Sequence, residues 1–228
     1  MKDQVYFLLA IFCISVKAVQ HEYAPEEIIR PCYRGDLECM QKFIDSRSNC
    51  DRPLNRVPDP YLREYSLIYL VDFNITVIHI NSNLSGLNGE IEDFHINKNT
   101  NQLVIAVWFD KIDVSVENTV VYFHRRREVP IVTGDRSRIV YRRTHITTIV
   151  PLSPTIDFNH MLATAYSEED NLQLTFGPGI TAAPGVQTSV ATVVGNLDLA
   201  TRNILFTESR SFISIFIKHV LCGYKEIL

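Results

Sequence analysis

Cysteine and histidine are the residue types best able to do chemistry in this chain, with five of the former and seven of the latter in 228 residues. Cys13 lies in an apolar run near the N-terminus, which leaves Cys32, Cys39, Cys50 and Cys222 to crosslink or to hold a metal. A zinc site asks for a CxxC pair or two close histidines, and neither accompanies these four. An even set of cysteines behind a secretory leader reads as two disulfides. Four cysteines allow three pairings, and the spacing does not choose among them.

Signatures of catalysis are absent: there is no GxSxG elbow, HExxH, GxGxxG or P-loop, and the histidines are scattered singly. Glu90, Glu92 and Asp93 are close neighbours, but they fall in a turn-rich stretch with no acid or base partner in sequence and read as a solvated edge. The chain is therefore expected to be no enzyme and to use no cofactor. Asn74-Ile75-Thr76 and Asn83-Leu84-Ser85 are N-glycosylation sequons, which mark exposed positions in a secreted protein. From His124 to Arg143 the chain is rich in arginine, with Arg125, Arg126 and Arg127 in a row. Guanidinium forks of this kind could dock an acidic partner, although a charge run more often faces water and balances the protein's own acids.

The elements that must position these groups follow from pattern. Residues 5–16 (VYFLLAIFCISV) behind Lys2, closed by Lys17-Ala18, form a secretory signal peptide over 1–18, too short for a bilayer span. The remaining 19–228 make one domain; the full chain has ordinary apolar (46%) and charged (21%) content and a net charge of −4, which excludes wholesale disorder and gives nucleic acid no basic face. Asp36 followed by Leu37, Met40 and Ile44 predicts a capped helix to about Ser46. The capping role accounts for the Asp of an Arg34-Gly35-Asp36 tripeptide without adhesion. Residues 51–64 read as a proline-rich connector. Alternation of the type Phe73, Ile75, Val77 predicts antiparallel strands over Tyr65–Phe123, broken by NSN, SGLNG and NKNTNQ, then over Arg138–Val150 and again over Leu172–Leu205. From Ser211, apolar residues cover most of a helical circumference up to Gly223, which predicts a buried C-terminal helix rather than a membrane span.

The stretch RPCYRGDLECMQKFIDSRSNC, residues 30–50, with its C-x6-C-x10-C triplet, resembles the fibrohexamerin family of silk glycoproteins, within the takeout and juvenile-hormone-binding superfamily. VDFNITV, DFHIN and SFISIFIKHVLC extend the resemblance along most of the chain. This sequence departs from that family in having no cysteine between Cys50 and Cys222. The resemblance implies an α+β fold, a long, highly curved antiparallel sheet wrapped around a long C-terminal helix, with Cys32 paired to Cys39 and Cys50 to Cys222. It further implies a secreted, non-catalytic glycoprotein of the silk gland lumen. Such a protein would bind the fibroin heavy and light chains noncovalently and support their assembly, with Arg125, Arg126 and Arg127 as the docking group. The alternative is a carrier of a small hydrophobic ligand, a terpenoid or lipid, held near Phe212, Phe216 and Val220. Neither reading asks for a membrane.

Overall fold

The structure is a computed structural model that describes residues 27–168 and 173–225, so the expected leader lies outside the described residues. Eight strands form one antiparallel sheet: β1 (Ile28–Ile29), β2 (Tyr61–Leu70), β3 (Ile75–Ser85), β4 (Glu90–Asn97), β5 (Gln102–Arg125), β6 (Glu128–Pro151), β7 (Leu162–Ser167) and β8 (Gln173–Phe176). Among the described residues four α-helices accompany them: α1 (Leu37–Asp45) between β1 and β2, then α2 (Pro178–Thr181), α3 (Gln187–Gly195) and α4 (Leu197–Val220) after β8.

The frame is the hairpin of β5 and β6, each 24 residues long. Along one side of β5, β4 pairs with Gln102–Trp108 and β3 with Asp113–Phe123, end to end. Along the far side of β6, β8 pairs with Ser137–Val140 and β7 with Thr144–Ile149. Strand β2 then pairs with β3 and closes that edge of the sheet.

Alternation explains which face is covered. Leu103, Ile105, Val107 and Phe109 of β5 are buried in alternation, and after the exposed pair Asp110–Lys111 the alternation resumes one residue out of step with Ile112, Val114 and Val116, as on the covered face of a half-buried strand. Helix α4 lies over that face and touches both β2 and β7, which are separated by β3, β5 and β6. A large open antiparallel sheet with a long C-terminal helix lying on it is what the resemblance implied.

Local turn chemistry sets the breaks. SGLNG links β3 to β4 through Gly86, whose φ is +81° and where a Cβ would lie within 1.9 Å of the Lys111 carbonyl oxygen. In NKNTNQ the Asn97 Oδ1 accepts from the Asn99 and Thr100 amides. NSN is not a turn: Asn81 takes a left-handed φ of 55°, and β3 runs through it with the same register to β2 on either side. The connector ends at Pro60 rather than residue 64, since Tyr61–Arg63 already pair with Ser82–Leu84.

The expected strand run over Leu172–Leu205 is the largest correction. Only Gln173–Phe176 is strand, and α2, α3 and the first turns of α4 take the rest. Val190, Val193 and Val194 suggest strand by type, but Ala200, Thr201, Ile204, Leu205, Glu208 and Ser209 are buried in pairs four apart, and that helical period prevails over residue type. Residues 212–217 are buried on all sides of the helix, in keeping with the apolar circumference of that segment. No helix among the described residues is long and apolar enough to cross a membrane.

Candidate functional site

Asp36 caps α1 by accepting a hydrogen bond from the Cys39 amide at 3.0 Å. Cys39 is bonded to Cys32, so the loop Cys32–Asp36 is tied to the helix it precedes. Gly35 sits in this loop with φ +82°, a backbone state that favours glycine. The second disulfide joins Cys50 to Cys222 and fastens the segment after α1 to the end of α4, where Asp51 and Gly223 exchange backbone hydrogen bonds of 2.7 and 3.0 Å.

Between these two clips lies an open cavity of about 450 Å³. Its walls are apolar: Leu37 and Met40 from α1, Ile91 from β4, and Phe216 and Val220 from α4. Phe216 is held from behind by Phe109, whose ring meets it edge to face at 5.9 Å. The rim is polar and carries Arg34, Asn55, Asn88 and Glu90. Two of these are structural. Asn88 clamps the backbone N–H and carbonyl of Val57 at 2.9 and 3.0 Å, and Asn55 accepts from Gln41, which also donates to the Val220 carbonyl. The result is an apolar slot with one charge of each sign at its mouth and both ends covalently fixed.

Of the three residues expected to line a ligand pocket, Phe216 and Val220 line this cavity. Phe212 does not: it is fully buried one turn deeper, with its ring 5.6 Å from Tyr141 and the Arg63 guanidinium 6.0 Å above it. Sequence reasoning did not assign Arg34, Leu37, Met40 and Ile91 to a pocket. The signal available was the apolar face of α1, which needed a covering partner.

The arginine row forms the β5–β6 turn. Arg125 pairs with Glu128 at 2.6 Å and donates to the Val129 carbonyl, while Arg126 and Arg127 are exposed, with Arg127 at φ 61°. Further along β6, Arg138 binds Asp113 and Arg143 approaches Glu168. Three of the seven arginines in this segment are thus set against the protein's own acids. Glu90 is exposed, as a solvated edge would have it, whereas Glu92 and Asp93 are half-buried and have partners. His145 is held between Glu92 (Nδ1, 2.7 Å) and Glu168 (Nε2, 2.9 Å), and Asp93 takes His95 and Arg30. No group of three or more His, Cys, Asp or Glu among the described residues is arranged to hold a metal ion.

No protein-family model and no curated protein matches the chain. Among solved structures it is similar to Takeout 1 of Epiphyas postvittana, at 15% identity and a TM-score of 0.49, over 85% of this chain and 95% of that one. That is a likeness of outline, and function has to be read from the residues.

Proposed function

We propose that this protein is a non-catalytic carrier of a small, mostly apolar ligand. The observation that supports this reading is the cavity walled by Leu37, Met40, Ile91, Phe216 and Val220. Its volume falls within the range of small-molecule sites, roughly 300 to 1,000 Å³, and apolar walls with a few polar groups at one end are the usual composition. The ligand's apolar body would lie against Phe216 and Val220 and its polar end would face Arg34 and Glu90. Charges of opposite sign at the mouth suit a neutral polar group, such as an ester or hydroxyl, that can accept from one and donate to the other.

Binding of fibroin heavy and light chains in the silk gland lumen is the weaker reading. It rests on the sequence resemblance, and one of its three docking arginines is already engaged by Glu128.

The deciding experiment is organic extraction and mass spectrometry of the native secreted protein, followed by titration with a fluorescent apolar probe. A stoichiometric apolar molecule, and probe binding that Val220→Trp abolishes while the far-UV spectrum is unchanged, would support the carrier. Absence of both extracted ligand and probe binding would overturn it.

A further inference from the structure

The outer face of the sheet, away from α4, is apolar where it should be polar. On β2, Leu62 is 58% exposed, Tyr65 57%, Leu67 49% and Tyr69 44%, and Ile80 of the neighbouring strand is 38% exposed. Register makes these one strip: Leu67 pairs with Ile78 and Ile78 with Val120, Tyr65 pairs with Ile80, and Tyr69 with Thr76, which faces Tyr122. Among the described residues β2 is also an edge, with no strand paired to its outer N–H and C=O groups. An apolar face on an open edge is a template for self-association, and folded proteins guard such edges.

The two sequons sit at the two ends of this strip. Asn83 is exposed and pairs directly with Leu62 on the same face. Asn74 is exposed at the other end, and its Oδ1 accepts from the Tyr69 hydroxyl at 3.3 Å. Beside it, His124 stands edge-on to Tyr69 and stacked on Tyr122, each at 6.4 Å, and bonds the sequon residue Thr76 at 2.8 Å. The two asparagines are nine positions apart, roughly 30 Å at the usual rise.

We propose that N-glycans on Asn74 and Asn83 lie inward along β2 and cover this apolar strip, shielding the edge against pairing with a second copy. The apolar C–H faces of the sugars would rest on Tyr65, Tyr69 and Tyr122, and their hydroxyls would replace the missing polar surface. The Asn74 amide keeps one N–H after glycosylation, enough to retain its 3.3 Å hydrogen bond to the His124 carbonyl.

Hydroxyl-radical footprinting of the secreted glycoprotein, before and after enzymatic removal of the glycans from the folded protein, tests this directly. Sequon occupancy is read from the same peptides. Both sequons should be occupied. Oxidation of Tyr65, Leu67 and Tyr69 should rise severalfold on deglycosylation, while Tyr33, which is 87% exposed and remote from the strip, should not change. The deglycosylated protein should also self-associate in light scattering, and Leu67→Lys should return it to monomer. Unoccupied sequons, or equal oxidation of the strip with and without glycans, would overturn the proposal and leave the face open to another partner.

Discussion

Arg63 of β2 and Glu208 of α4 meet at 2.7 Å with both side chains almost completely buried. Ser82 and Ser211 accept from the remaining guanidinium N–H groups at 3.3 and 3.2 Å. Burial pushes the Glu208 carboxyl up, and the Arg63 charge opposes that. The pair thus fixes which part of α4 faces the sheet. Glu208→Ala should destabilise the protein by roughly 3–5 kcal/mol by leaving a buried charge unpaired, whereas Arg63→Met with Glu208→Leu should recover most of that loss. Urea unfolding of the three proteins checks it, and a double variant as unstable as the single one would show that the pair itself, not its satisfaction, is needed.

That relationship also shows where sequence reading stops. Asp36 as a cap, the inward alternation of β5 and the buried end of α4 are local patterns, and they are visible because the period of apolar residues equals the period of the element. Arg63 and Glu208 are 145 residues apart, and Glu92 and His145 are 53 apart. No local period announces such pairs. Only the register that places β2 beside β3, and α4 over both, brings them together. Arg63 falls in the stretch expected to be connector, and the one trace was Glu208, which lies at helical spacing between the apolar Leu205 and Phe212. The cavity was half legible for the same reason, since Phe216 and Val220 belong to a periodic helix while Arg34 and Asn88 come from loops.

His79, fully buried on β3, should make the protein acid-sensitive. Burial first, and the nearby Arg63 charge second, lower its pKa to about 4. The ordinary value is about 6.5, so as pH falls from there toward 4 the unfolded chain takes up a proton that the folded one refuses. Stability should fall across that window by roughly 3 kcal/mol from this group and then level off. Thermal denaturation of the wild type and His79→Asn over this range measures the difference, and parallel curves would assign the acid sensitivity elsewhere.

His145 should behave in the opposite sense. Burial lowers its pKa, but the hydrogen bonds to Glu92 and Glu168 and the charges of those two carboxylates together outweigh it, and the net direction is up. A raised histidine contributes fully below its unfolded pKa and loses that contribution as pH rises through the folded one. Its contacts join β4, β6 and the residue after β7, with the Tyr166 ring stacked on it at 4.6 Å. Amide exchange along the β6–β7 pairing should therefore quicken as pH rises above about 6.5 beyond the intrinsic rate increase, and His145→Gln should remove that excess. An NMR midpoint for His145 at or below the ordinary histidine value would refute this.

The Cys50–Cys222 bond should matter to the cavity as well as to the chain. It closes a separation of 172 residues, for which loop-closure entropy gives about 5 kcal/mol. Replacing both cysteines with serine should lower stability by up to that amount. Val220, two residues before Cys222, forms part of the cavity wall, so the end of α4 should fray and the wall loosen with it. Apolar-probe affinity should then drop under conditions where the variant is still folded, and the Cys32–Cys39 clip should not compensate, because it steadies only the α1 side. If affinity tracks the folded fraction alone, the bond stabilises the fold without shaping the site; if it drops further than that fraction, the bond holds the wall in place.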